Sequence, residues 1–159
     1  GARRIFLARV KIGGAEELSA KVGSEVAVSD WLEVTQQRID QFADATGDHQ
    51  WIHIDVERAR RESPFRAPIA HGFLTLSLLS QFINDAVEFW PSKLGVNYGL
   101  NRMRFTAPVT AGSRLRGRFH LKALERIEGG VQMVWEVSVE CEGKNKPALV
   151  AEWLTRKYD

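Results

Sequence analysis

The side chains best suited to acid–base chemistry lie close together, between residues 44 and 71. Three of the four histidines fall in this segment together with three aspartates: His49, His53, His71, Asp44, Asp48 and Asp55. A carboxylate beside an imidazole can take a proton from a water molecule and deliver it elsewhere, which is general acid–base catalysis. The same residues also suit a plain turn, because an aspartate such as Asp48 readily bonds nearby backbone. Composition alone leaves both interpretations open.

A metal site is a third interpretation of this segment. His49 and His53 are four residues apart, as are the two histidines of HExxH zinc sites on a helix. The residues between them are Gln, Trp and Ile, so the glutamate of that motif is missing, and Gly47 opposes a continuous helix. We therefore expect no metal. The chain also has no phosphate-binding glycine loop, no GxSxG and no CxxC.

The segment that carries these residues follows a predicted helix and is itself expected to be mostly irregular. Thr35 is a suitable N-cap for a helix over 36–46, and Gly47 is suited to end that helix in the left-handed conformation. From 47 to 70 we expect irregular chain with a single short helix at 55–61. A loop of this length inside a small protein is often functional.

The most apolar stretch of the chain begins at His71 and Gly72. It predicts one helix of about 18 residues, roughly 27 Å long, that ends before Pro91. Apolar side chains occur on nearly all sides of its first half, 73–82, which is typical of a helix enclosed by protein.

Alternating residues in the last third of the chain predict an antiparallel sheet. Residues 113–123 and 131–142 place apolar side chains at every second position, and Gly129-Gly130 is suited to the turn between them. Two further strands are predicted at 95–107 and 147–157. The predicted fold class is therefore α+β, with an antiparallel β-sheet wrapped around a long central α-helix.

Length and composition narrow the classes of protein. With 159 residues, 44% of them hydrophobic, the chain suits a single domain over 1–159, in which residues 1–14 form a peripheral extension. A formal net charge of +2 does not favour a nucleic-acid partner, and no apolar run approaches the roughly 20 residues that span a membrane. The lone Cys141 cannot form an internal disulfide, which favours a reducing, cytoplasmic location.

Residues 47–53, GDHQWIH, resemble the Gly-Asp-x-Asn-Pro-[aliphatic]-His signature of the MaoC-like (R)-specific enoyl-CoA hydratases of the hot-dog superfamily. Gln50 and Trp51 stand where that family usually has Asn-Pro, a variant similar to its nodulation-protein-N-like branch. The likeness continues through 66–72, RAPIAHG, and 104–109, RFTAPV, and so covers most of the chain. Several ordered motifs that agree are a more specific signal than any one of them.

The resemblance implies a hot-dog fold and a catalytic dyad of Asp48 and His53, which in the family hold one water between them. Asp48 is then the base on this water, while His53 orients it and shuttles its proton. Gly72, at the start of the long helix, is expected to donate its backbone N–H to the thioester oxygen of the substrate. Ser80 matches a serine that supports the dyad in some members of the family. His71 is expected to cap or orient the start of the long helix.

Further residues are expected to contact the substrate. Gln50 and Trp51 depart from the family motif and are expected to reshape the loop, whereas Asn97 and Tyr98 are expected to line the acyl tunnel. One or two arginines are expected to meet the phosphates of coenzyme A; the candidates are Arg58, Arg60, Arg61, Arg66, Arg102 and Arg104.

Together these observations predict an enzyme that reversibly adds water to trans-2-enoyl-CoA and forms (R)-3-hydroxyacyl-CoA. No cofactor is expected, because the coenzyme A thioester is itself the substrate. A homodimer is expected, since one sheet around one helix leaves strand edges that need a partner. Two alternatives remain open: a hot-dog acyl-CoA thioesterase with the same fold, and a non-catalytic module that binds acyl-CoA.

Overall fold

A six-stranded antiparallel sheet and the helical segment against it dominate the fold, in a computed structural model that describes residues 9–159. In chain order the elements are β1 (Val10–Lys11), α1 (Ala15–Ser19), β2 (Glu25–Val28), β3 (Leu32–Glu33), α2 (Gln36–Thr46), α3 (Trp51–Ile54), α4 (Val56–Glu62), α5 (Gly72–Ser77), α6 (Leu79–Ala86), β4 (Val87–Glu88), β5 (Leu94–Phe105), β6 (Arg114–Ile127), β7 (Gly130–Cys141) and β8 (Leu149–Tyr158). The sheet has the strand order β2-β6-β7-β8-β5, and β3 also pairs with β6. Among residues 9–159 the long strand β5 pairs only with β8, so it is the edge strand of this sheet.

Alternation of apolar residues builds the core face of this sheet as predicted. Leu115 and Phe119 of β6 and Trp135 and Val137 of β7 are buried, and they pack in one cluster with Phe82 of α6. The strands predicted at 95–107, 113–123, 131–142 and 147–157 correspond to β5, β6, β7 and β8. The α+β class, with an antiparallel sheet around a central helix, is confirmed.

The central helix is shorter than predicted. It consists of α5 and α6, separated at Leu78, and it ends at Ala86 rather than just before Pro91. The backbone becomes extended at Val87 (φ −130°, ψ 129°), where the chain pairs in parallel with Val10 of β1. The prediction of one long helix was wrong because pairing with a distant strand outweighs local helix preference. No helix within residues 9–159 is long and apolar enough to cross a membrane.

The first half of this helical segment is not enclosed on all sides, contrary to the prediction. Phe82 is fully buried, but Phe73 is 67% exposed, and Ser77 and Ser80 are also exposed. The ring of Phe73 lies edge-on to that of Phe105 on β5, with 5.9 Å between their centres. The sheet therefore covers one side of the helix and leaves an apolar strip uncovered near its start.

The segment 47–70 contains more helix than predicted. Helix α4 confirms the short helix expected at 55–61, and Asp55 caps it by accepting a hydrogen bond from the backbone N–H of Arg58 (3.1 Å). Helix α3, directly before Asp55, was not predicted, because a single turn of four residues is too short to show a hydrophobic period.

The described part of the expected N-terminal extension is joined to the core. Strand β1 pairs with β4, and Ile12 is 1% exposed among core residues. Residues 10–12 are therefore not peripheral, although they belong to the 1–14 stretch that was expected to be. Residues 1–8 of that stretch lie outside the described residues.

Strands β7 and β8 approach each other very closely at Gly130. A Cβ atom at this position would lie 2.0 Å from the carbonyl oxygen of Lys157, which belongs to the backbone and cannot move aside alone. We predict that Gly130→Ala lowers the free energy of unfolding by about 2 kcal/mol, as overpacking typically does. Urea denaturation measures this change.

Gly14→Ala is the matched control, because a Cβ at Gly14 meets no atom within 4 Å. Its free energy of unfolding should change by no more than about 0.5 kcal/mol. Equal effects of the two substitutions would contradict the steric explanation.

Candidate active site

Three titratable side chains from separate parts of the chain meet at one point. A carboxylate oxygen of Asp48 and one ring nitrogen each of His53 and His71 all lie within 4.8 Å of one another. Asp48 follows Gly47, which ends α2 in the left-handed conformation (φ 82°), as predicted. His53 is in the only turn of α3, and His71 immediately precedes α5. Asp48 is exposed, whereas both histidines are buried.

The proton on His53 is fixed by a backbone carbonyl. Nδ1 of His53 lies 2.6 Å from the carbonyl oxygen of Ile69. Because a carbonyl oxygen only accepts hydrogen bonds, Nδ1 carries the hydrogen, and the neutral ring keeps its lone pair on Nε2. The side-chain amide of Gln36 also donates to the backbone carbonyl of His53 (2.8 Å) and holds α3 in place. His53 thus presents an unprotonated nitrogen from a fixed ring.

His71 contacts both other members of the cluster. Its Nε2 donates a hydrogen bond to the backbone carbonyl of Asp48 (2.9 Å), and its ring stacks on that of His53 with 3.8 Å between centres and 24° between planes. The side chain makes no capping hydrogen bond to α5, so the expected capping role is wrong. His71 is 3% exposed, and its Nδ1 has no hydrogen-bond partner among the described residues. It therefore orients Asp48 and His53 together.

The geometry of the cluster is poorly suited to a metal ion. The rings of His53 and His71 are stacked, so their nitrogen lone pairs run side by side, whereas the ligands of a tetrahedral site converge on one point. The pair considered from spacing, His49 with His53, does not form on one helix, because His49 precedes α3. His49 instead bonds Asp44 on the surface (2.9 Å), and this hydrogen bond raises the pKa of His49.

Gly72 lies beside the cluster and has no room for a side chain. A Cβ there would be 2.9 Å from the ring of Phe105 on β5. The two residues line a cavity of about 320 Å³ together with Ile69, whose carbonyl holds His53. The first backbone N–H groups of a helix lack acceptors within that helix, so the N–H of Gly72 is available at this cavity. No function was predicted for Phe105, although it stands within the RFTAPV motif.

The remaining candidates are divided between the cluster and a second cavity. The backbone N–H of Gln50 lies 3.3 Å from Oδ1 of Asp48, and Trp51 packs under the guanidinium of Arg58 at 4.2 Å. Ser80 lies elsewhere: it lines a cavity of about 370 Å³ that has no lining residue in common with the Asp48 cluster.

The two candidates on β5 have different surroundings. Asn97 lines the same second cavity as Ser80, and its Oδ1 accepts a hydrogen bond from Nε1 of Trp153 (2.7 Å). Tyr98 does not line that cavity; it is 55% exposed, with the guanidinium of Arg156 at 3.5 Å from its ring centre. Of the two, only Asn97 is positioned to meet a ligand in the second cavity.

Of the arginines proposed for coenzyme A, two are engaged locally on α4. Arg58 forms an ion pair with Glu62 (2.7 Å), and Arg60 pairs with Glu57 (3.7 Å). Exposed pairs of this kind are typical of a solvated helix surface. They do not aim these side chains at the cluster.

Comparison with known proteins places these features in a family. The family described as MaoC like domain matches residues 17–142. The chain belongs to it. This MaoC-like chain is 49% identical over 142 residues to Nodulation protein N of Rhizobium leguminosarum bv. viciae, covering 87% of this chain and 88% of that protein. It is 48% identical over 141 residues to 3-hydroxyacyl-thioester dehydratase Z of Mycobacterium tuberculosis, covering 88% and 93%.

Solved structures agree with the MaoC-like assignment at the level of fold. The (R)-hydratase from A. caviae involved in PHA biosynthesis superimposes with a TM-score of 0.67 at 22% identity, covering 84% of this chain and 94% of that one. An R-hydratase from Pseudomonas aeruginosa gives 0.67 at 24% identity, covering 87% and 82%. The hot-dog fold and the MaoC-like family that the motifs indicated are confirmed.

Two substitutions separate the contacts of His71. His71→Gln keeps an amide donor near the carbonyl of Asp48 but loses the stack, and His71→Phe keeps a stacked ring but loses the donor. We predict that both variants lower kcat for hydration of an enoyl-CoA, the reaction that the family resemblance implies, by about tenfold or more. The reason is that a reaction slows when the groups that carry it out are misplaced. KM should change by less than twofold, since His71 is only 3% exposed and is therefore expected to have little direct contact with a substrate. Steady-state kinetics with thermal unfolding as the fold control test this prediction, and unchanged kcat in both variants would contradict it.

Proposed function

We propose that this chain reversibly adds water to trans-2-enoyl-CoA and forms (R)-3-hydroxyacyl-CoA, with the coenzyme A thioester as substrate and no further cofactor. The observation that carries the proposal is the separation of at most 4.8 Å between a carboxylate oxygen of Asp48 and a ring nitrogen of His53. Two hydrogen bonds of about 2.8 Å through one water span such a gap. The names of the relatives, a 3-hydroxyacyl-thioester dehydratase and (R)-hydratases, support the same reaction class.

The proposed chemistry divides one water molecule between two carbons. Asp48 removes a proton as the water oxygen bonds to C3, and the electrons of the double bond move towards the thioester oxygen. Nε2 of His53, which carries a lone pair, orients the water, takes over the proton that Asp48 removed and delivers it to C2, so that both members of the dyad end in their starting state. The product gains one hydroxyl and one hydrogen, which balances the addition.

The negative charge that develops on the thioester oxygen needs a donor. We assign this role to the backbone N–H of Gly72, which borders the same cavity as Ile69, the residue whose carbonyl bonds His53. Loss of one such donor typically raises the barrier by about 3 kcal/mol. In this proposal Ser80 and Asn97 lie along the path of the acyl chain, because they line the second cavity further along the helix.

We also propose that the chain forms a homodimer through β5. This 12-residue strand has no partner on its outer edge within the part of the chain that the structure describes, and it is mostly exposed on both faces. Its exposed apolar or aromatic side chains include Leu94, Tyr98, Leu100 and Phe105. A long unpaired edge with apolar side chains favours pairing with a second copy, which a two-fold axis would satisfy.

Asp48→Asn tests the proposed base. The amide cannot accept the proton from water, so we predict that hydration of crotonyl-CoA, followed by loss of enoyl absorbance, falls by at least about 100-fold. Asp44→Asn is the matched control, since Asp44 is an exposed aspartate of the same region whose side chain bonds only His49 among the described residues. Asp44→Asn should keep the parent rate. If Asp48→Asn hydrates as fast as the parent, the dyad assignment is wrong.

The same substrate separates the alternative functions. Release of free coenzyme A thiol from crotonyl-CoA without loss of the double bond would indicate a thioesterase. Binding of crotonyl-CoA with neither reaction would indicate a non-catalytic acyl-binding module. Hydration without thiol release is the expected result.

The dimer can be tested at the uncovered edge. Leu100→Glu places a charge on β5 without touching Asp48 or His53, so we predict that it shifts the mass measured by analytical ultracentrifugation from dimer towards monomer. Lys144→Glu changes an exposed charge in the turn after β7 and should leave the mass unchanged. A parent chain that is monomeric at tens of micromolar would contradict the proposed dimer.

A further inference from the structure

The second cavity has an unusually polar lining for a place that receives an acyl chain. It lies between α6 and the helix-facing side of β7, β8 and β5, and its volume is about 370 Å³. Apolar contacts come from Ile83, Phe89 and Met133, but polar and charged groups interrupt them: Ser80, Asn84, Asn97, Thr155, Arg156 and Lys157. The guanidinium of Arg156 is already engaged, because it donates hydrogen bonds to Gln132 (2.8 Å) and Tyr158 (3.4 Å). A pocket for an unsubstituted hydrocarbon gains nothing from such groups, because each must lose water on binding.

Lys157 is the most informative of these residues. It follows the buried Trp153 by four residues on β8, so both side chains lie on the helix side of the sheet. Its Nζ lies 5.0 Å from the ring centre of Phe89 and 5.1 Å from that of Trp90. Burial lowers the pKa of Lys157.

Lys157 also lacks a counter-charge. No ion pair within residues 9–159 includes Lys157. The two aromatic rings compensate only part of the cost of holding a cation away from water. A partly buried ammonium of this kind favours an anion that enters the cavity.

The cavity lies along the same helix and the same strand as the proposed reaction site. Ser80 follows Gly72 by eight residues, which corresponds to about 12 Å along a helical segment. On β5, Phe105 lies beside Gly72, and Asn97 lies in the cavity. Phe105 pairs with Leu149 and Asn97 pairs with Thr155, and these two partners lie on the same face of β8. A chain held by its thioester at Gly72 and extended along the helical segment towards Ser80 would therefore reach the second cavity.

We infer that the acyl group taken by this site carries a carboxylate at its far end, and that Lys157 binds this carboxylate in the second cavity. The substrate class is then a medium-length enoyl thioester with a terminal carboxyl group. The inference rests on the proposed hydratase function, because it uses Gly72 as the anchor of the thioester. The hydroxyl and amide groups of Ser80, Asn84 and Asn97 complete the polar lining around the carboxylate.

The test compares two series of trans-2-enoyl-CoA thioesters of graded length, one ending in a methyl group and one in a carboxylate. At the length that reaches the cavity, the parent should use the carboxylate-ended substrate with a kcat/KM about tenfold above that of its methyl-ended counterpart. Lys157→Met should lower kcat/KM for the carboxylate-ended substrate by about tenfold and invert the preference. Thermal unfolding confirms that the variant is folded, and loss of a partly buried cation should not lower its Tm.

Lys144→Met is the control, because it removes the same charge from a residue that is exposed in the turn after β7. It should keep the preference of the parent. If Lys157→Met weakens both series equally, the ammonium binds the phosphates of coenzyme A and the inference is overturned. The absence of any carboxylate preference in the parent overturns it as well. Failure of the parent to hydrate crotonyl-CoA, in contrast, would reject the proposed function itself.

Discussion

The hydrogen bond between Nδ1 of His53 and the carbonyl of Ile69 is the contact on which the candidate site depends. It decides which nitrogen of a buried imidazole carries the hydrogen, and with it whether the ring can accept a proton. A second hydrogen bond joins the same two segments, with Ile69 now as the donor: the backbone N–H of Ile69 donates to the carbonyl of Ile52 (3.1 Å). The chain before the central helix and the single turn of α3 are thus held together by two bonds. If they separated, His53 would lose both its orientation and its tautomer.

The segment that carries Ile69 is in turn tied to the rest of the fold. Ala70 donates to the carbonyl of Val109 (2.7 Å), and Ile69 forms a β-bridge with Thr110. Through these contacts the start of α5, and hence His71 and its stack on His53, is fixed relative to the chain that joins β5 and β6. Helices of four to seven residues, such as α3 and α4, would not be stable alone. The contacts with the rest of the fold therefore hold the cluster of Asp48, His53 and His71 in place.

The two cavities beside the central helix have different characters, and strand β5 borders both. The first is formed where the ring of Phe105 fills the space that a side chain at position 72 would occupy. The second contains a partly buried cation, Lys157, that has no anionic partner among the described residues. The first cavity is lined mainly by apolar residues and the second by polar and apolar residues alike, so the two favour ligand groups of different character.

The sequence by itself determined whatever depends on near neighbours. The alternation of β6, β7 and β8, the caps of α2 at Thr35 and Gly47, and the spacing of Asp48 and His53 are all local, since each involves residues that bond or pack within a few positions. Tertiary structure alone decided that the central helix ends at Ala86, that His71 stacks on His53, and that Phe105 covers Gly72. Each of these contacts joins residues well apart in sequence, so its geometry follows from how the sheet and the helix pack rather than from any local pattern.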